Sequence, residues 1–441
     1  MLFRSNSKNN PIQQFISSNK EKKVHGVTYK EELVDQNILV SVRHLKRFFP
    51  RGGGKKLKAV HDVSFDIKKG ECFGLVGESG CGKTTTGRSI IRLYQPTSGS
   101  IYFKGYRVAA GDRWNQKEIK WSKIKGDAKI KEIRQKEKSE LSERNNNTLE
   151  EQIQYNAVKD NYEKEVQKIK EHVAEIKREQ VQKIKRIHYD NRHVDPKLRS
   201  KRQRIFQDPI DSLDPRRTVE DIIQEGLKIQ GYRNRQENHE KAVKVLEEVG
   251  LIPDYCSRYP NEFSGGQRQR IGIARAIIRN PEFRICDEPI SALDVSIRAQ
   301  IINLLNDLKV NHGLTLRFIA HDLSVVKYFC DRIAVRYFGE MVEMASSDEL
   351  FAHPLHPYTR ALLSAIPKPD PLSEKKRKRI VYNPAKEHDY REEKPKFVEI
   401  VPGHFVLASS KEIAKYKERI VEDDKKNAEK EELRKKQGIE Y

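Results

Sequence analysis

The segment Gly77–Thr84 is the strongest candidate for chemistry in this sequence. It reads GESGCGKT, follows the apolar run ECFGLV, and precedes a helical pattern that continues to Tyr94. The pattern G-x-x-x-x-G-K-[ST] binds phosphate when a strand precedes it and a helix follows it. Backbone N–H groups exposed by the glycines, together with the helix N-terminus, would surround the phosphates. Lys83 would reach the β- and γ-phosphates, and the Thr84 hydroxyl would bind Mg²⁺.

A second candidate is the run FRICDEP at 283–289, an apolar strand that ends in two acids. Asp287 would hold Mg²⁺, and Glu288 would orient and polarise an attacking water as a general base. A strand that ends in Asp-Glu is a weak signal by itself. It gains weight because the run FSGGQRQRIGIARA, residues 263–276, lies directly upstream.

The SGGQ run followed by RQRIGIARA resembles the signature motif of ABC ATPases. Within the chain itself, this run also reads as a glycine turn with Ser264 as the helix N-cap. The resemblance implies that this helix points its N-terminus at the γ-phosphate held by an opposing subunit. Ser264, Gly265, Gly266 and Gln267 would then contact ATP in a dimer that has two shared sites.

Other motifs of that family follow in the expected order. Gln207 in IFQDP matches the Q-loop residue, which contacts Mg²⁺ or water and senses the membrane subunit. Asp294 in SALD matches the D-loop, and His321 in IAHD matches the switch histidine near the γ-phosphate. An aromatic residue upstream of the phosphate loop should stack on adenine; Phe49 is preferred and Phe48 is the alternative.

These motifs define the predicted site. The predicted nucleotide contacts are Phe49, Gly77, Glu78, Ser79, Gly80, Cys81, Gly82, Lys83, Thr84, Thr85, Ser264, Gly265, Gly266, Gln267 and Asp294. The predicted catalytic residues are Lys83, Gln207, Glu288 and His321, and the predicted metal ligands are Thr84, Gln207 and Asp287. ATP and Mg²⁺ are the expected cofactors.

Within ABC ATPases, the runs FQDPxxSLxPR, ICDEPxSALDVS and HPLHPYTRALLSAIP resemble the second ATPase of oligopeptide and dipeptide importers. The resemblance covers about 38–105 and 200–370. It implies a homologous partner ATPase in a heterodimer, two transmembrane permease subunits and an extracellular substrate-binding lipoprotein. It also implies a peripheral position at the cytoplasmic face of the cell membrane. Asp214 replaces the usual Asn, and the C-terminal cysteine cluster of some relatives is absent because no cysteine follows Cys330.

Bulk composition limits the remaining possibilities. The 441 residues have a formal net charge of +22, 34% charged residues and a mean hydropathy of −0.80. No apolar run approaches the roughly 18–20 residues of a membrane-spanning helix, and the N-terminus lacks the apolar core of a secretory signal. We therefore expect a cytosolic protein that meets the membrane through its permease partners. The five cysteines form no C-x-x-C pair, which favours reduced thiols over a metal cluster.

The elements that must position these residues indicate an α/β fold, and the resemblance implies that it is a P-loop NTPase of the ABC type. A RecA-like core, an antiparallel β-subdomain and a helical subdomain are expected, with a helical insertion and a C-terminal extension. The predicted divisions are a polar leader, 1–36; the nucleotide-binding domain, 37–345, interrupted by a charged insertion, 112–199; a C-terminal region, 346–410; and a charged tail, 411–441.

The insertion permits two interpretations. Apolar residues recur every three or four positions and would form one stripe on a helix; they are Tyr162, Val166, Ile169, Val173 and Ile176. A turn at Asn145–Asn147 would then make a helical hairpin. The alternative is a solvated, partly disordered charged segment.

Three arginines interrupt strands that should be continuously apolar: Arg284, Arg317 and Arg336. An unpaired buried guanidinium costs several kcal/mol. We therefore expect each one to reach a sheet edge or to meet an acid.

Other classes of ATPase fit less well. Chromosome-maintenance proteins place their coiled coil between the Q-loop and the signature, whereas this insertion precedes Gln207. Tandem-cassette translation factors carry two phosphate loops in one chain, whereas this sequence has one. A non-catalytic subunit is disfavoured because Lys83, Asp287, Glu288 and His321 are all present. We expect no nucleic-acid partner.

Overall fold

A computed structural model of the chain describes residues 37–142, 148–196, 198, 201–205, 212–291, 293–320, 323–366 and 379–436. The predicted site residues Gln207 and His321 lie outside the described residues, as do the turn at Asn145–Asn147 and the leader. The chain forms two compact units. The first contains the described residues within 96–100 and 107–194; the second contains the described residues within 36–95, 101–106 and 195–441.

The strands are β1 (Ile38–Pro50), β2 (Lys56–Lys68), β3 (Cys72–Val76), β4 (Ser98–Phe103), β5 (Tyr106–Asp112), β6 (Arg202–Ile205), β7 (Phe283–Asp287), β8 (Thr315–Ile319), β9 (Arg332–Tyr337), β10 (Glu340–Ser346), β11 (Lys396–Val401) and β12 (His404–Ala408).

The helices are α1 (Lys83–Ile90), α2 (Arg113–Ser142), α3 (Leu149–Arg192), α4 (Val219–Ile229), α5 (Arg235–Glu248), α6 (Gly265–Ile277), α7 (Val295–His312), α8 (Leu323–Phe329), α9 (Ser347–Ala352), α10 (Pro357–Ser364), α11 (Pro384–Glu387) and α12 (Ser410–Lys436).

The central sheet positions the site. Among the described residues it has eight strands in the order β11-β12-β10-β9-β3-β8-β7-β6. Strands β3, β6, β7, β8 and β9 run parallel, while β10 and β12 pair antiparallel. Strands β3, β7 and β8 are buried along their whole length, as expected where helices cover both faces of a sheet. Their carboxyl ends therefore meet at one edge, where the phosphate loop begins.

A second, four-stranded sheet has the order β2-β1-β4-β5 among the described residues. Strands β1 and β2 are antiparallel, and their register shifts around Leu45 and Arg47. The alternating burial of β2 places Val63, Phe65 and Ile67 inside. Because successive side chains of a strand point to opposite faces, this pattern produces one buried and one more exposed face.

The insertion forms two long helices, α2 and α3. Helix α3 begins with a capping box in which Thr148 and Glu151 bond reciprocally. The predicted apolar stripe faces α2: Tyr162 donates from Oη to Glu140 at 2.5 Å, and Val173 lies against Gly126. The helical-hairpin interpretation therefore describes this segment better than a solvated coil.

Helices α4, α5 and α6 lie in the second unit and contact one another. Each begins at a side-chain N-cap, provided by Thr218, Asn234 and Ser264. Such caps satisfy amide groups that have no partner within the helix. Beyond β10, the pair β11 and β12 extends the central sheet, and Tyr416 of α12 packs with residues of these strands.

Candidate functional site

The phosphate-loop candidate joins the end of β3 to α1. Gly77 and Gly82 have φ angles of +143° and +91°, which side-chain-bearing residues rarely adopt. A Cβ at Gly77 would lie 2.2 Å from the carbonyl oxygen of Arg336, and one at Gly82 would lie 2.0 Å from that of Ala59. The backbone is packed so closely here that neither position can carry a side chain. Glu78, Ser79 and Gly80 at the middle of the loop are exposed, which leaves room for a ligand.

Lys83 and Thr84 point in different directions at the start of α1. The Lys83 ammonium is buried and donates to the carbonyl oxygens of Gly77 at 2.6 Å and Glu78 at 2.9 Å. Burial lowers the pKa of Lys83. The Thr84 hydroxyl donates to Oδ1 of Asp287 at 3.0 Å. The structure thus brings together the two predicted metal ligands that lie among the described residues.

Asp287 and Glu288 occupy the end of β7 beside that loop. Asp287 is buried and Glu288 is half-buried. Glu288 has a φ of +51°, a left-handed conformation that is uncommon outside glycine, and its N–H donates to Ile319 at the end of β8 at 3.0 Å. Such outliers persist where the surroundings fix them, often at functional sites. The neighbouring strand therefore fixes the orientation of the acid.

The signature candidate lies at the start of α6. Ser264 Oγ accepts from the N–H of Gln267, and the Gln267 side chain accepts from the N–H of Ser264 at 3.0 Å. Ser264 is exposed, and a Cβ at Gly266 would come within 2.8 Å of Ile297. The helix therefore presents a capped, accessible N-terminus that favours an anion. Asp294 is exposed at the N-terminus of α7.

The adenine-stacking candidates lie near the end of β1. Phe49 is half-buried and packs edge-on against Tyr94, with ring centroids 5.4 Å apart, and the Arg47 guanidinium lies 4.6 Å from its ring. Phe48 stacks with His61 at 6.1 Å. The role of Phe49 in binding adenine stays a prediction, and so do the roles of Gln207 and His321.

Known proteins resemble this chain over most of its length. The family described as "ABC transporter" matches residues 60–186 and 173–291, and "Oligopeptide/dipeptide transporter, C-terminal region" matches 342–395. The oligopeptide transport ATP-binding protein OppF of Bacillus subtilis is 44% identical over 85% of this chain and 97% of OppF. The dipeptide transport ATP-binding protein DppF of Lactococcus lactis subsp. cremoris is 40% identical over 87% of this chain and 98% of DppF.

This chain belongs to the ABC ATPases of the oligopeptide/dipeptide transporter family. The predicted ABC-type cassette fold and the predicted ATPase class are confirmed, and the relatives give no support to the nucleic-acid alternative. Among solved structures, a dimeric ATP-binding cassette bound to ADP and Pi aligns with a TM-score of 0.47 and 21% identity, over 70% of this chain and 99% of that one. None of the described helices combines the length and apolar character that crossing a membrane requires.

The C-terminal region of this ABC ATPase contacts the phosphate loop, which the sequence alone did not reveal. The hydroxyl of Tyr358, in the HPLHPYT segment, accepts a hydrogen bond from the N–H of Glu78 at 3.0 Å. Tyr358 is buried and packs against Tyr337 and Tyr382, with ring centroids 4.5 and 5.4 Å away. The segment stood out as a motif, but no local pattern connects it to a loop 280 residues earlier.

A buried polar cluster anchors that segment to the sheet. The Glu343 carboxylate accepts from the backbone N–H groups of Leu355 at 2.7 Å and His356 at 3.0 Å. His404 Nε2 lies 2.8 Å from Glu343, and its Nδ1 lies 3.0 Å from Glu349. Burial by itself would lower the pKa of His404, but hydrogen bonds and charge from these two carboxylates outweigh it, so the pKa of His404 is raised.

The expectation for the three strand arginines is wrong. Arg284, Arg317 and Arg336 are at most 1% exposed. Among the described residues, no carboxylate lies within ion-pair distance of any of them. For two of them, backbone oxygens replace the expected acid. Nε and Nη1 of Arg284 have no hydrogen-bond partner among the described residues.

Two of these arginines lie beneath the phosphate loop. Arg336 donates to the carbonyl oxygens of Gly82 at 2.8 Å and Gly339 at 2.7 Å, and Arg317 donates to that of Lys83 at 3.0 Å. Burial lowers the pKa of Arg336 to about 10 and that of Arg317 to about 9, so both remain charged at neutral pH. The first turn of α1 therefore rests on two buried cations. A rule based on strand patterns could not detect this, because the acceptors belong to a distant segment.

Proposed function

We propose that this chain binds MgATP at its phosphate loop, hydrolyses it in a dimer with a second homologous ATPase, and so energises import of oligopeptides or dipeptides. The observation that best supports this is the 3.0 Å contact between Thr84 and Asp287. It joins the phosphate loop to the acidic strand end, and a hydroxyl beside a carboxylate is the hard-oxygen donor set that Mg²⁺ prefers.

Each of these groups would have a distinct role in hydrolysis. Lys83 holds the β- and γ-phosphates, and Thr84 and Asp287 hold the metal. Mg²⁺, when bound, neutralises charge on the phosphate oxygens. Glu288 orients the attacking water and accepts its proton. Gln207 and His321 complete the site near the γ-phosphate, in the roles that their motifs imply.

The second half of each site would come from the partner ATPase. The exposed N-terminus of α6, capped by Ser264, is suited to face the γ-phosphate held by the other subunit. Asp294, also exposed, would line the same interface. Each cassette therefore depends on the signature of the other, and ATP binding closes the pair.

The relatives support the transporter context. OppF and DppF are named as oligopeptide and dipeptide transport ATP-binding proteins. By extension, this chain would sit at the cytoplasmic face of the cell membrane on two permease subunits, supplied by an extracellular substrate-binding lipoprotein. In the proposed layout, the cassette spans 37–345 around the insertion 112–199, followed by the C-terminal region 346–410 and the tail 411–441.

Affinity purification of the tagged chain from solubilised membranes tests this proposal. We expect a second ABC ATPase and two permease subunits to co-purify, and short peptides with the binding protein to stimulate ATP hydrolysis in proteoliposomes. The matched control is the same preparation that carries Lys83→Ala. The importer assignment is contradicted if no permease subunit co-purifies, or if peptides leave the rate of ATP hydrolysis unchanged.

A further inference from the structure

The insertion hairpin has a face whose large side chains are about half exposed to solvent. Helices α2 and α3 approach closely at Gly126, where a Cβ would lie 2.6 Å from Val173. Ser122, one turn earlier, is also buried. Because small residues make this contact, α2 packs against α3 without burying the large side chains at the edge of α2.

Trp114 and Trp121 lie at that edge. They are the two tryptophans of the chain, and they stand seven residues apart, so they share one side of the helix. Their exposed fractions are 58% and 55%, and nearby Ile124 is 44% exposed. Aromatic side chains of this size usually bury 150–250 Å². Two of them exposed side by side indicate an interaction surface.

A groove runs beside the tryptophans, with a volume of about 690 Å³. Its apolar part includes Ile169, Val173 and Ile176 of α3. The charged residues that line it are three lysines and one glutamate, namely Lys125, Lys129, Lys168 and Glu118. All three lysines are exposed, and none forms an ion pair with a described residue. The surface is therefore aromatic and aliphatic at its centre and basic around it.

We propose that this surface, the Trp114–Trp121 face with its three lysines, binds the anionic lipid bilayer. Tryptophan is enriched where proteins meet the boundary between lipid and water, because its ring is apolar and its N–H is polar. Lysines near such a face are attracted to anionic headgroups. The aliphatic part of the groove suits lipid chains, whereas a single-stranded nucleic acid would be expected to stack on aromatic planes in a polar groove.

The protein provides its own probe for this idea. Because both tryptophans belong to the proposed surface, the tryptophan fluorescence of the full chain, excited selectively over its tyrosines, reports on that surface alone. We expect a blue shift that saturates with vesicles of equal parts phosphatidylglycerol and phosphatidylcholine, and that is absent with pure phosphatidylcholine. An equal shift with both lipids, or no shift with either, overturns the proposal.

Charge variants test the lysines. The triple change Lys125→Gln, Lys129→Gln and Lys168→Gln should weaken co-sedimentation with the anionic vesicles by roughly a hundredfold, at about fivefold for each lysine. The matched control changes three exposed lysines of α3 that lie outside the groove, Lys159, Lys170 and Lys177, to Gln. It carries the same change in net charge and should bind nearly as well as the unaltered chain.

The remaining outcomes are equally informative. Equal losses in the two triple variants would mean that binding follows net charge alone, which contradicts a defined surface. Trp114→Ala with Trp121→Ala should also reduce co-sedimentation by about tenfold or more, while the helical circular dichroism stays unchanged. Tighter binding of a single-stranded RNA oligonucleotide than of anionic vesicles, lost in the tryptophan variant, would assign the surface to nucleic acid instead.

Discussion

The two buried arginines beneath the phosphate loop should strengthen nucleotide binding; for Arg336, the cost of burying its charge is largely offset by its hydrogen bonds. The change Arg336→Met removes one charge and keeps a long apolar side chain in β9. The carbonyl oxygens that Arg336 contacts keep other partners, because Gly82 also accepts from the N–H of Thr86 and Gly339 accepts from that of His61. Arg336 also donates to the Thr86 hydroxyl, which keeps the hydrogen bond that it donates to the carbonyl oxygen of Gly82. No buried polar partner of Arg336 is therefore left without a hydrogen bond.

The size of the effect follows from the pKa. Burial lowers the pKa of Arg336 from 12.5 to about 10, which corresponds to a cost of about 3 kcal/mol for the charged form. Arg336→Met removes this cost but also removes three hydrogen bonds, worth about 0.5–1.5 kcal/mol each. The free energy of unfolding should therefore change by no more than about 2 kcal/mol. A unit charge about 8–10 Å from a phosphate is worth about 2 kcal/mol at an effective dielectric constant of about 20. ATP affinity should therefore fall by roughly five- to thirtyfold.

The assay pairs thermal unfolding without nucleotide with titration of ATP on the same samples. Arg317→Leu should lower ATP affinity in the same way as Arg336→Met, since Arg317 donates to the carbonyl oxygen of Lys83. Arg284→Leu is the matched control: this arginine is equally buried, and none of its hydrogen bonds reaches the loop among the described residues. It should raise stability and leave ATP affinity unchanged. Unchanged ATP affinity for Arg336→Met, or a loss of stability of more than about 3 kcal/mol, refutes the reasoning.

Three other changes have defined outcomes. Tyr358→Phe removes the hydroxyl that accepts the loop N–H and should raise KM for ATP about two- to tenfold with kcat unchanged, whereas Tyr382→Phe in the same aromatic cluster should alter neither constant; an unchanged KM excludes a positioning role. Gly82→Ala places a Cβ 2.0 Å from a backbone oxygen and should abolish ATP binding while the chain still folds, as judged by circular dichroism. His404→Gln should destabilise most at low pH: because the folded-state pKa of His404 is raised above 6.5, its stabilisation is complete below pH 6.5 and is lost as the pH rises through the folded-state value. Unfolding temperatures of both forms across pH check this, and a difference that grows with pH contradicts it.

Local chemistry explains how much the sequence could reveal. The phosphate loop and the acidic strand end are each short contiguous segments, so their glycines, strands and helices can be recognised from the sequence. The structure places Thr84 against Asp287. The helices of the hairpin could be predicted for a similar reason, because the apolar residues of α3 recur with the period of an α-helix. What the sequence could not reveal is non-local. The contact of Tyr358 with Glu78 joins segments 280 residues apart.

The arginines show the limit of pattern rules. The rule that buried parallel strands are continuously apolar assumes that a guanidinium in such a strand must either pair with an acid or reach the edge of the sheet. In this fold, the first turn of α1 presents carbonyl oxygens to β8 and β9, and Arg317 and Arg336 donate to them. Whether such acceptors exist depends on how a helix lies on a sheet, which no window of sequence specifies.

Glu288→Gln tests the central claim, ATP hydrolysis by this chain's own site, most directly. The amide keeps the size of the side chain but cannot accept a proton from water. In the complex with its partner ATPase, we expect ATP affinity within about twofold of the unaltered protein and turnover at this site reduced by about 10²–10⁴-fold, with ATP trapped in a closed dimer. Turnover at the normal rate, measured with the partner's equivalent acid also changed, would contradict the account.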